Sequence, residues 1–240
     1  MGTLTAPTIV LGMHRSGTSM LTGTLEQAGL FLGDVNIAAP HNKKGNRENE
    51  KLRRYHSRII KRRGGDWKTP PELPIQFSPR ERQELAELLK PFEDVERWGF
   101  KDPRAIWLVE VYLELFPDAT LIGIFRHPFS VAKSLAARPG KLTLPIEEGL
   151  ALWQQTNERL LRLCQQHQFP LLYFSTTGIT DPMFSVPLSK FLNGIGLSNP
   201  VTPFFEQHLV HQASNDQILP HEVNDLYQEL LATARSQHAA

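Results

Sequence analysis

Residues 8–21 read Thr-Ile-Val-Leu-Gly-Met-His-Arg-Ser-Gly-Thr-Ser-Met-Leu, and this stretch leaves the chain few choices. Thr8 to Leu11 is a short β-branched and apolar run, the pattern of a buried strand. Gly12 and Gly17 bracket a tight polar loop. From Thr18 onward Met20, Leu21, Thr24 and Leu25 recur at helical spacing until Gly29 ends the helix. A strand, a glycine loop and a helix start together make a cradle for an anion. Free backbone N–H groups and the positive end of the helix dipole converge there. Arg15 adds a fixed charge and a planar fork of donors suited to phosphate or sulfate oxygens.

The loop differs from the ATP-binding pattern Gly-x-x-x-x-Gly-Lys-Ser/Thr. Gly12 and Gly17 have the right separation, but Thr18 stands where the lysine should be. The basic residue sits two places before the second glycine, as Arg15. Gly-x-x-Arg-Ser-Gly-Thr-Ser at 12–19 resembles the 5′-phosphosulfate loop of sulfotransferases that use 3′-phosphoadenosine 5′-phosphosulfate (PAPS). The resemblance implies that Arg15, Ser16, Gly17, Thr18 and Ser19 hold the co-substrate, and that 3′,5′-adenosine bisphosphate (PAP) is the product.

The rest of the chain alternates strands and helices. A loop is expected over 31–46, a helix over 47–63, an irregular stretch over 66–77, and a helix from Pro79 to about Leu89. That last helix has a strong start: Ser78 caps, Pro79 fits the first turn and Glu81 closes a capping box. A strand over 98–101, a helix through Phe116, a strand from Thr120 to Phe125 and a helix to about Ala137 follow. After the loop at 138–145 come a long helix over 146–167, a strand over 171–174, a helix from Pro182 to about Leu192, an irregular stretch over 194–220 and a closing helix near 221–235. This alternation predicts an α/β fold, a three-layer parallel β-sheet with helices on both faces. The resemblance adds a P-loop NTPase-like sulfotransferase fold. With 240 residues there is room for one sizeable core, so a single domain over 1–240 is expected.

Ligands of such sheets bind beyond the carboxyl ends of the strands. Arg15 follows the first strand, Lys101 ends the second and Arg126 ends the third. Ser134 lies eight residues past Arg126, about two helical turns into the next helix. The loop arginine and the helical hydroxyl can therefore converge on one phosphate. In sulfotransferases an Arg…Ser pair at this spacing holds the 3′-phosphate of PAPS. Phe100-Lys101-Asp102-Pro103-Arg104 resembles the matching run of tyrosylprotein and many bacterial sulfotransferases, where the lysine contacts the sulfuryl group or its leaving oxygen. Trp153 and the strand 171–174 fit the family's layout. The Tyr-Glu dipeptide often found after that strand is replaced by Ser175-Thr176-Thr177, and the Arg-Lys-Gly triplet of cytosolic animal enzymes is missing.

Sulfuryl transfer by in-line displacement needs a base for the acceptor hydroxyl. Related enzymes take a histidine or a glutamate from the loop after the first helix, which makes Glu48 the favoured candidate here and His41 the second. Glu48 also suits the first turn of a helix, where acids are favoured in any case. The catalytic set is thus Glu48, Lys101, Arg15 and His41. His14 lies inside the anion loop, shaping it or meeting substrate. His208 and His211 have the spacing of one helix face but no third metal ligand, and the chemistry requires no metal.

The net charge of +1 does not point to nucleic acid. Lys43 to Arg63 holds ten basic residues against Glu48 and Glu50, either a solvated helix face or a rim that attracts an acidic acceptor or the nucleotide. One cysteine, Cys164, allows no internal disulfide and fits a reducing compartment. No run approaches a membrane span and the N-terminus lacks a signal-peptide pattern, so a cytoplasmic location without membrane insertion is expected. The acceptor is expected to be a hydroxyl of a saccharide or small metabolite. A nucleotide kinase with a degenerate loop and a non-catalytic nucleotide or sulfated-glycan binding module remain the alternatives.

Overall fold

A computed structural model describes residues 2–38, 45–175, 177, 180–198, 204 and 218–239. Among them, four strands form one parallel sheet: β1 (Thr8–Leu11), β2 (Gly99–Lys101), β3 (Thr120–Arg126) and β4 (Leu171–Phe174), in the spatial order β2-β1-β3-β4. Val10 pairs with both Lys101 and Ile122, and Arg126 pairs with Phe174. The chain leaves β1 for β2 on one side and then crosses to β3 on the other. This reversal opens a crevice at the carboxyl end of β1, where open α/β sheets bind their ligands.

Eight α-helices surround the sheet among the described residues: α1 (Thr18–Gln27), α2 (Glu50–Arg62), α3 (Pro79–Leu89), α4 (Val109–Leu115), α5 (Pro128–Ala136), α6 (Ile146–His167), α7 (Pro182–Gly194) and α8 (His221–Ala239). The strand side chains alternate between two cores. Val10, Ile122, Ile124 and Leu172 pack with Leu21 and Leu25 of α1 and with Phe184, Leu188 and Leu192 of α7. Ile9, Leu11, Leu121, Phe125 and Leu171 face the larger cluster built from α2, α4, α5, α6 and α8. The three-layer α/β arrangement expected from the alternation is present.

Local chemistry sets most boundaries. The Ser78 side chain accepts the Glu81 N–H and Glu81 reaches back to the Ser78 backbone, with Pro79 in the first turn. Two segments depart from expectation. The helix anticipated over 47–63 starts only at Glu50, because Arg47 adopts a left-handed φ of 54° and the Asn49 side chain caps by accepting from the Lys51 and Leu52 N–H groups. Glu48 is therefore outside the helix. The helix expected to run to Phe116 begins instead as a 3₁₀ turn over Pro103–Trp107, capped by the Asp102 side chain, before α4.

A buried polar group ties α2 to β2 and α4. His56 is fully buried; its Nδ1 lies 2.9 Å from Asp102 Oδ2 and its Nε2 lies 2.6 Å from the Tyr112 hydroxyl. Burial pushes the Asp102 carboxyl up, but the bond from His56 and the Arg104 charge outweigh it and hold the group below its ordinary range. The basic run is largely answered within the fold. Arg47 pairs with Glu26, Arg53 and Arg54 with Glu50, Arg58 with Glu84, and Arg62 and Arg63 with Glu81. No described helix is long and apolar enough to cross a membrane.

Candidate active site

Everything of interest lies at the carboxyl ends of β1, β2 and β3. The glycine loop turns there because two positions exclude a side chain. A Cβ on Gly12 would stand 2.5 Å from the Ile124 carbonyl oxygen of β3. Gly17 has a φ of 90°, and a Cβ there would stand 2.7 Å from the Phe174 ring at the end of β4. Gly17→Ala is therefore expected to lower the melting temperature by about 2–8 °C from the left-handed backbone alone. Gly17→Ala combined with Phe174→Leu, followed by thermal melting, should recover only the steric part.

The loop presents donors. Gly17 precedes α1 without a side-chain cap, so the first N–H groups of the helix, at Thr18 and Ser19, face outward. Ser16 is fully buried, and its Oγ has no hydrogen-bond partner among the described residues. Arg15 has a left-handed φ of 68°, and its Nε donates to Ser134 Oγ of α5 at 2.7 Å. Arg126 leaves β3 with its carbonyl held by Trp153 Nε1 at 2.9 Å and its guanidinium over the Phe174 ring, 5.4 Å from the centroid. Its Nη1 lies 3.5 Å from the Arg15 carbonyl oxygen. Burial pulls the Arg15 pKa down. Burial and the Arg15 charge bring that of Arg126 down to about 10. Two mutually opposed guanidiniums, an unpaired buried hydroxyl and an uncapped helix start suit a phosphate-rich ligand. Ser134 was assigned to a phosphate away from Arg15; in the folded chain the two side chains meet.

On the other flank of β1, Lys101 stands in register with Val10 and so points to the α1 side of the sheet. It is 2% exposed, and its Nζ donates to Glu48 Oε1 at 2.8 Å and lies 3.4 Å from Ser19 Oγ. Glu48 is also buried, 7% exposed. Asn36 holds the segment that carries it. The Asn36 side chain accepts from the Asn46 N–H at 3.0 Å, and its backbone N–H donates to the Glu48 carbonyl at 3.2 Å. Ser19 Oγ donates to the Asn46 carbonyl at 3.1 Å, joining that segment to the anion loop.

Sequence reasoning named Arg15, Ser16, Gly17, Thr18, Ser19, Glu48, Lys101, Arg126 and Ser134, and the fold brings them to one end of the sheet. His41, His208 and His211 lie outside the described residues. Asn36 was missed, and nothing local marks it, since its partners lie ten or more positions away. Arg138 was missed although a signal existed: it stands four residues after Ser134, just past the end of α5. Among the described residues no group of three His, Cys, Asp or Glu side chains could hold a metal ion.

Comparison with known proteins agrees with this fold. The model of the sulfotransferase family matches residues 7–174. The sulfotransferase domain of the Synechococcus PCC 7002 olefin synthase superposes with a TM-score of 0.55 at 14% identity, over 98% of this chain and 96% of that one. A sulfotransferase domain from the curacin biosynthetic pathway gives a TM-score of 0.59 at 14% identity, over 95% of this chain and 98% of that one. No curated protein sequence matches the chain.

Proposed function

The chain belongs to the sulfotransferase family, and from that premise we propose that it moves a sulfuryl group from PAPS to a hydroxyl of a saccharide or small metabolite. The observation that carries the proposal is the placement of the buried Lys101–Glu48 pair beside the anion loop, with Ser19 bonded both to Lys101 and to the Asn46 carbonyl of the segment that carries Glu48. When bound, PAPS supplies the sulfuryl group and a stable leaving phosphate. Arg15, Ser16 and the first N–H groups of α1 would hold the 5′ side, and Arg126 with Ser134 the 3′-phosphate. The Arg15–Ser134 bond couples the two ends, so each anchor orients the other.

Glu48 takes the proton from the acceptor hydroxyl. Lys101 faces the charge that grows on the leaving oxygen as the S–O bond breaks. Both are shielded from water, where such interactions are stronger than at a surface. Thr18 at the lysine position of an ATP loop leaves no side chain there to reach outer phosphates.

Thermal melting with PAP, and with ATP and magnesium, tests the donor assignment. PAP at about 100 times its dissociation constant should raise the melting temperature by about 5–10 °C. ATP with magnesium should raise it less. The reverse order would favour the kinase reading.

A further inference from the structure

One guanidinium beside this site has no role in the reaction described so far. Arg138 follows α5 and leans over Trp67, with Cζ 5.7 Å from the ring centroid. Trp67 meets the His14 ring edge-on, 6.1 Å between centroids at 89°. His14, Asp66, Trp67 and Arg104 line a single recess with Met13, Trp107 and Leu152, and Arg138 stands beside it through its contact with Trp67. Burial and the charges of Arg104 and Arg138 lower the His14 pKa well below its ordinary value, so the ring is neutral near pH 7.

The two arginines differ in what they face. Arg104 Nη1 is bonded to Asp102 Oδ1 at 2.8 Å, so its charge is answered. Arg138 Nε is buried with no acceptor, and no carboxylate among the described residues pairs with the guanidinium. Burial brings the Arg138 pKa down to about 10, with the Arg15 charge adding to the fall and Glu48 opposing it. An arginine drawn out of water without a partner is costly to the empty protein. A planar carboxylate would complete it through parallel N–H···O bonds. Trp67 comes from the irregular stretch over 66–77, which supplies none of the donor anchors. Its ring offers a flat apolar face instead. Asp66 on the lining accepts from the Lys68 and Thr69 N–H groups of its own turn, so Arg138 beside the recess is left to answer one carboxylate rather than a doubly charged phosphate.

We propose that this recess selects the acceptor, and that the acceptor is a hydroxy acid whose carboxylate pairs with Arg138 while its apolar body lies on Trp67 and its hydroxyl turns to Glu48. The role of the hydroxyl rests on the sulfuryl-transfer reading. The carboxylate preference does not.

Calorimetric titration with 4-hydroxybenzoate and its neutral partner 4-hydroxybenzamide tests the proposal, on the protein alone and on the protein saturated with PAP. The acid should bind at least about tenfold more tightly than the amide. Arg138→Gln should bring the acid to the level of the amide, Arg138→Lys should keep part of the preference, and PAP affinity should stay as in the parent. Equal binding of acid and amide, or absence of acid binding at millimolar concentration, overturns it. Loss of PAP affinity in Arg138→Gln also overturns it, by making Arg138 a donor contact. Failure of PAP to bind the parent would instead count against the sulfotransfer reading, because the acid-to-amide ratio is measured without PAP as well.

Discussion

Glu48→Gln is expected to lower turnover by about two to four orders of magnitude, the usual contribution of a positioned general base, with PAP affinity preserved. The substitution keeps the size of the side chain and leaves an oxygen to accept from Lys101, but it cannot take a proton. Its structural side effect has a known direction. Lys101 is 2% exposed and would lose the one carboxylate that it contacts at 2.8 Å. Breaking a buried pair by removing one partner costs about 3–5 kcal/mol, so the variant should also melt earlier. Lys101→Met separates the two effects, since it breaks the same pair from the other end and leaves the carboxylate in place. Unchanged turnover in Glu48→Gln would reject the base assignment and leave the fold and the anion loop untouched.

Removal of either loop arginine should abolish donor binding without a matching loss of stability. Each guanidinium can make two charge-assisted hydrogen bonds to phosphate, at about 1.5–3 kcal/mol apiece. Arg15→Ala or Arg126→Met should therefore weaken PAP by at least about a hundredfold in a calorimetric titration. Arg126 is buried beside Arg15, and those two facts already pull its pKa down to about 10. The sign follows from linkage: a base whose folded pKa is depressed destabilises the fold at every pH below that value, because its charged form is disfavoured there. Near pH 7 the empty protein carries this cost in full. Arg126→Met removes that cost together with the contacts to the Phe174 ring and the Arg15 carbonyl, so its melting temperature should change little while the ligand is lost. A fall in melting temperature in step with the loss of PAP affinity would make Arg126 a structural residue.

Much of the scaffold could be seen in short windows of the chain. β1 and β3 are continuous apolar runs, as doubly covered parallel strands must be. The capping box at Ser78 and the glycines at 12 and 17 announce their own geometry. The start of α2 was misplaced because the basic run continues without a break in periodicity, while the left-handed turn at Arg47 and the Asn49 cap interrupt the backbone. The basic run itself reads as either a solvated helix face or a positive rim. In the fold it meets Glu26, Glu81 and Glu84, which no window around residue 50 contains.

The order of residues along the chain determined the individual strands and helices, the anion loop and the identity of the charged groups at the strand ends, because these depend on backbone preferences, caps and turns set by near neighbours. Tertiary structure alone decided that Glu48 meets Lys101, that Arg15 meets Ser134 rather than standing apart from it, and that Arg138 faces Trp67 with no acid among the described residues. Those pairings are set by strand order, by the crossover between β2 and β3, and by one asparagine that fixes a loop. The energy that selects them comes from burying charge, and a charge is buried only after distant segments have closed around it.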